Sequence, residues 1–157
     1  MATFTIVVWQ AALVQPAPTA PRLVLTSADG RETIIAGPGS GSPRLVVMSD
    51  RDGARHAKPW VAALQDMQPD VPLIEVAHLV QVPAMIRPFV RRGFRGAEHV
   101  LLDWKGRVAA RYGFTPAAVN VYFVDDTGRL IERVSGRVPG DTLAAFIRRV
   151  AAALDGR

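Results

Sequence analysis

Cysteine is absent from all 157 residues, so disulfide staples, thiolate metal sites, iron–sulfur ligation and thiol nucleophiles are excluded before any motif is read. Lysine is scarce, found only at Lys58 and Lys105 against seventeen arginines. With alanine, glycine and proline abundant, that ratio reflects a GC-rich coding bias and carries no message about phosphate recognition. Histidine occurs only at His56, His78 and His99. No two of them have the i, i+3 or i, i+4 spacing that puts two ligands on one helical face, so neither a metal site nor a cofactor is expected. Acidic residues are outnumbered 14 to 19, a net charge of +5; the resulting field favours anionic partners through screened attraction. Nucleic acid is not expected among them, because no aromatic platform for stacked bases is evident. The glycine-rich stretch 37–41 lacks the Lys-Ser/Thr ending of a phosphate loop and a following helix, so it reads as a surface loop.

Apolar residues make up 49% and charged residues 21%, the balance of one globular domain with a polar skin. Residues 6–14 form a short apolar run broken by Gln10 and followed by small residues and prolines. The run is too short to span a bilayer as a helix. It has the shape of the later part of a secretory signal peptide without the basic flank; a strand or a tail is the alternative. Residues 1–21 are therefore set apart as a signal-peptide remnant or tail, and 22–157 as the folded domain, periplasmic or exported in the first case and cytoplasmic otherwise.

Within that domain, residues 23–27 and 32–35 flank Asp29-Gly30 and read as a hairpin. Residues 37–43 are a glycine- and proline-rich linker. The apolar run 44–49 predicts a strand covered on both faces. Trp60, Val61, Leu64 and Met67 place a helix over about 54–67, and residues 71–77 predict a second buried strand, parallel to the first. Met85, Ile86, Phe89, Val90 and Phe94 predict a helix over 84–95, with Pro88 in its first turn and Arg87, Arg91, Arg92 and Arg95 on its other side. A short strand at 100–103, a helix around 108–112 and an antiparallel hairpin of 119–124 with 129–134 follow. A last helix is capped by Asp141 or Thr142, with Leu143, Phe146, Ile147, Val150 and Leu154 on one stripe.

Three stretches of this pattern carry a resemblance: the Asp29-Gly30 hairpin with its loop, the segment 102–113 with its aspartate turn, glycine and Tyr112-Gly113 pair, and the strand and turn 121–130. The chain resembles the thioredoxin-like and redoxin proteins over about residues 22–155, and within them the cysteine-free bacterial periplasmic group of the YtfJ type. The resemblance implies an α/β domain with a central mixed β-sheet flanked by helices on both faces. In redox-active members the loop after the first core strand carries a Cys-x-x-Cys pair at a helix start, where the dipole lowers a thiol pKa. Here Ser49, Asp50, Arg51, Asp52, Gly53, Ala54 and Arg55 fill that loop, so the resemblance implies a vestigial site without thiol chemistry. Val119 stands where those families place a cis-proline, and a trans bond is expected there.

Asp50 or Asp52 is expected to cap the following helix, with Arg51 and Arg55 solvated. The sharper expectation is that this loop and residues 116–119 present a groove to an extended peptide, paired as an added strand. Arg87, Arg91, Arg92 and Arg95 form either a solvated helix face or an anion-binding cluster. The sequence thus predicts a redox-inactive, non-catalytic module binding an unidentified protein or peptide, with anion or nucleic-acid binding through the basic helix as the alternative.

Overall fold

The computed structural model describes residues 21–97 and 99–156; the segment set apart at the N-terminus lies, except for Pro21, outside them. Seven strands form one sheet: β1 (Leu23–Ser27), β2 (Glu32–Ala36), β3 (Arg44–Ser49), β4 (Leu73–His78), β5 (Val100–Asp103), β6 (Val119–Val124) and β7 (Leu130–Gly136). Their order is β2-β1-β5-β4-β3-β6-β7. β3, β4 and β5 run parallel while the remaining pairings are antiparallel, which is the mixed sheet the sequence predicts.

The continuous apolar runs in β3 and β6 have a direct cause. Both strands are central, so both of their faces are covered, and the two-residue period sorts each run into two cores. Val46, Met48, Tyr122 and Val124 join Leu25, Ile35, Val76 and Val108 on one face. Leu45, Val47, Val121 and Phe123 join Trp60, Leu64, Phe146 and Val150 on the other. Helix α4 (Arg107–Tyr112) covers the first face; α2 (Ala57–Met67) and α5 (Asp141–Asp155) cover the second.

Several elements depart from expectation. The helix predicted over 54–67 is two pieces, α1 (Arg51–Ala54) and α2, separated at Arg55 and His56. Pro59 causes the break: it has no N–H for the Arg55 carbonyl and its ring crowds that oxygen, whereas in the first turn of a new helix it is tolerated. Pro88 acts likewise, so the segment predicted as one helix over 84–95 is a 3-10 turn, Ala84–Ile86, followed by α3 (Arg87–Gly93). The apolar residues of this segment do not all pack: Val90 and Phe94 are half-buried, but Met85, Ile86 and Phe89 face outward. Helix α5 is preceded by Gly140 at the cap position with no side-chain bond. Asp141 is its first residue instead, where its charge opposes the positive helix end.

The glycine-rich 37–43 stretch holds no regular structure, yet it is anchored. The Gly37 amide donates to the Thr127 carbonyl (2.8 Å) and Ser40 Oγ to the Asp126 carbonyl. Gly128 (φ +79°) fits this contact only as glycine, because a Cβ there would lie 2.2 Å from Ala36 Cβ.

Candidate functional site

The antiparallel pairing of β3 with β6 sets Ser49 opposite Val119, so the loop carrying Asp50, Arg51, Asp52, Gly53 and Ala54 lies beside the segment before β6. The backbone of Asp50 is extended (φ −85°, ψ −174°), and its side chain caps α1 by accepting from the Gly53 amide at 2.7 Å. Its second carboxylate oxygen reaches across to accept from the Ala117 amide at 2.9 Å. One carboxylate thus joins the helix start to the facing loop, each oxygen taking a backbone N–H.

The facing loop is held from its other side by Asn120, buried in β6. Asn120 Oδ1 accepts from the Thr115 amide (2.8 Å) while Nδ2 donates to the carbonyls of Thr115 (3.0 Å) and Ala118 (3.3 Å). Between the two anchors Ala117 takes φ +55°, the one positive value at a non-glycine residue among those described. That conformation costs an L-residue roughly 1–2 kcal/mol. Gly53 completes the junction, since a Cβ on it would lie 2.4 Å from the Ala118 carbonyl oxygen. Among the described residues no peptide bond is cis, Val119 included.

The remaining loop residues are solvated. Arg51 is exposed, and Asp52 pairs with Arg55 at 3.2 Å on the surface, a geometry worth little in water. On the side of β3 away from β6, a cleft of about 210 Å³ opens at the base of α1. Val47, Glu75, Ala77 and Val100 contribute from the sheet, Asp50, Arg51, Ala54 and Ala57 from the α1 side, and Leu79 and Phe94 from the segments after β4 and α3. Glu75 Oε1 lies 3.3 Å from His99 Nε2, so the half-buried carboxylate in this otherwise mostly apolar cleft has a partner. The location follows a general rule of open α/β sheets, whose crevices form beyond the carboxyl ends of parallel strands.

The other motif residues have structural tasks. Buried Asp103 accepts from the amides of Arg107 and Val108, both at 2.9 Å, and so caps α4. Asp125 accepts from the Thr127 amide and hydroxyl and the Arg129 amide. Burial pushes its carboxyl upward, but these hydrogen bonds and the Arg129 charge outweigh that effect and hold it below the ordinary carboxylate value. Tyr112 donates from its hydroxyl to the Gly128 carbonyl (2.8 Å), and burial raises its pKa.

The four arginines divide. Arg91 donates to the carbonyls of Ala28 (2.9 Å) and Ser27 (3.3 Å), tying α3 to the β1–β2 turn. Arg87 donates to the Val82 carbonyl (3.3 Å) and lies 5.5 Å from the Trp104 ring centre. Arg92 and Arg95 are exposed. The histidines sit apart: His56 precedes α2, His78 stacks on Phe114 at 4.3 Å, and His99 meets Glu75. Among the described residues, no three potential ligands from histidine and carboxylate side chains gather, and no helix is long and apolar enough to cross a membrane.

The reach of Asp50 to Ala117, 67 residues away, has no local signature. Asn120 did leave one, as the sole polar residue in an otherwise apolar buried strand.

Neither a protein-family model nor a curated protein matches the sequence. Solved structures do. An exposed lipoprotein thioredoxin from Streptococcus pneumoniae superposes with a TM-score of 0.58 at 16% identity, covering 82% of this chain and 98% of that one. The dsbF protein of MTB, solved in mixed oxidized and reduced forms, gives 0.53 at 26% identity over 83% of this chain and 93% of its own. A thiol:disulfide interchange protein, DsbE, from Chlorobium tepidum gives 0.57 at 19% over 87% and 95%. The fold is thioredoxin-like, and this chain carries it without a cysteine.

Proposed function

We propose that this chain is a redox-inactive, non-catalytic thioredoxin-fold module of the bacterial cell envelope that binds a protein or peptide segment beside the vestigial active-site loop. The supporting observation is the Asp50 bridge. Where thiol–disulfide exchange would need two sulfurs, a carboxylate has both oxygens engaged by the amides of Gly53 and Ala117, which makes it a clamp and leaves the cleft beside α1 open. An added strand along 116–119 is disfavoured, because the Ala117 amide and the Ala118 carbonyl already bond within the chain. Insertion of an apolar side chain into the cleft fits better. Its mostly apolar lining supplies the favourable contact, and Arg51 at the α1 side can orient the partner's backbone.

The envelope assignment draws support from the N-terminal pattern of residues 6–21 and from the lipoprotein named above. Membership of the cysteine-free YtfJ-type branch is proposed on the same frame. Nucleic-acid or anion binding by all four arginines together is less well supported, since Arg87 and Arg91 are engaged by Trp104 and the β1–β2 turn.

Display of random peptides against the purified protein tests the reading. Peptides with an apolar anchor should be enriched, and Ala54→Trp, which fills the cleft from an exposed position, should weaken them at least tenfold. Failure to select any peptide, selected peptides that bind Ala54→Trp as tightly, or insulin reduction above the buffer rate would each reject it.

A further inference from the structure

The outward side of α3 is unusual in combining bare apolar side chains with free positive charge. Met85 is 82% exposed, Phe89 71% and Ile86 43%. Phe89 and Arg92, three residues apart in α3, share one side of the helix, and Met85 is exposed in the 3-10 turn that leads into it. Arg92 and Arg95 form no side-chain hydrogen bond or ion pair with the described residues, while Arg91 and Arg87 anchor the helix to the β1–β2 turn and to Trp104. Arg91, Arg92 and Arg95 also border a shallow groove of about 350 Å³ shared with Asp29, whose carboxylate faces Ser27 and Arg31.

We propose that this face seats the protein on an anionic lipid surface, with Met85 and Phe89 entering the headgroup and acyl boundary and Arg92 and Arg95 meeting lipid phosphates. Two features select this occupant. An apolar tip beside arginines matches a surface whose negative headgroups overlie hydrocarbon, because arginine stems can lie along the apolar zone while the guanidinium stays with phosphate. A second copy packed two-fold on the same face would gather Arg92 and Arg95 of both molecules into one interface, a concentration of like charge. Nucleic acid offers the charge but no apolar layer for Met85 and Phe89. Because the fixing contacts come from Arg87 and Arg91, the helix presents this face as a rigid platform, so little ordering accompanies binding.

The test is co-sedimentation with vesicles of phosphatidylcholine alone and of phosphatidylcholine containing about one third phosphatidylglycerol, repeated with added salt. The protein should partition to the anionic vesicles, and weakly at most to the neutral ones. Arg92→Gln with Arg95→Gln should weaken partitioning roughly 30-fold, each arginine near an anionic surface being worth about a factor of five. Met85→Ser with Phe89→Ser should weaken it at least about tenfold at unchanged charge. All four positions are exposed, and circular dichroism checks that each variant keeps its fold. The proposal is overturned if anionic vesicles do not sediment the protein, or if the serine pair binds as well as the parent, which would mean charge adhesion alone. It is equally overturned if the parent is a dimer that the serine pair dissociates, or if it prefers RNA or an acidic polypeptide to the vesicles.

Discussion

Replacing Asp50 by alanine removes two hydrogen bonds made by one side chain, and the two losses differ in kind. The Gly53 amide loses its cap, which typically costs about 1 kcal/mol. The Ala117 amide loses its only known partner in a half-buried turn, and an orphaned donor costs about 1–3 kcal/mol, toward the low end where water can reach it. Together these give about 2–3 kcal/mol, or a drop in Tm of roughly 5–10 °C for a domain of this size. Urea denaturation measures the total. Hydrogen exchange divides it, because the Ala117 amide should lose protection while the amides of β1 and β2, far across the sheet, lose only what the global change dictates. Asp50→Ser separates the parts again: a short hydroxyl can cap α1 but cannot also span to Ala117, so its cost should fall at about 1–2 kcal/mol. If Asp50→Ala lies within about 0.5 kcal/mol of the parent, or if Ala117 exchange is unchanged, Asp50 is not the clamp.

Gly53→Ala should be more damaging than any ordinary glycine change in a helix, by at least about 2 kcal/mol, because the new methyl would meet the Ala118 carbonyl at 2.4 Å; a melt within a degree or two of the parent would show that the two segments separate freely. The acid limb of stability should depend on Asp125, whose folded carboxyl sits below its ordinary value. Its contribution is fully present above the unfolded pKa near 4 and fades as pH falls through the lower folded value. Asp125→Asn should therefore flatten the dependence of Tm on pH between about 5 and 2, and an unchanged slope would assign acid unfolding to other groups.

The parts of the fold that the sequence announced are those written in local chemistry. The two cores follow from apolar runs whose alternation needs no tertiary information, and the hairpins from Asp29-Gly30 and the 125–128 turn, each with a glycine at positive φ. Boundaries near proline are not written in that pattern: around Pro59 and Pro88 the apolar spacing persists, while the backbone restarts where a carbonyl has no donor. Spacing also could not reveal which apolar residues find cover. Met85 and Phe89 fit a helical stripe as well as Val90 and Phe94 do, and what distinguishes them is tertiary cover, such as the cleft beside α1 that Phe94 borders. At the site, the proximity of Asp50 to the segment before β6 was legible from the resemblance. The joining of the two was not, because a hydrogen bond between residues 50 and 117 depends on sheet order.

That joining bears on why the junction keeps its shape with no cysteine in it. A loop with no thiol to place could hold Ala117 in an ordinary conformation, yet the chain holds it at φ +55°, at a cost of roughly 1–2 kcal/mol, with Asp50 on one side and Asn120 on the other. Strain retained in this way is more often tied to recognition than to stability. The same clamp fixes α1, and α1 forms one wall of the cleft. Ala117→Gly makes the two accounts separable, since it removes the strain while leaving the Asp50 bond in place. If the conformation serves only stability, the glycine variant is neutral or slightly more stable and selected peptides bind it unchanged. If the strained turn sets the junction for a partner, the same variant keeps its melting point while affinity falls, because a glycine at 117 is free to leave the conformation that the Asp50 bond now holds.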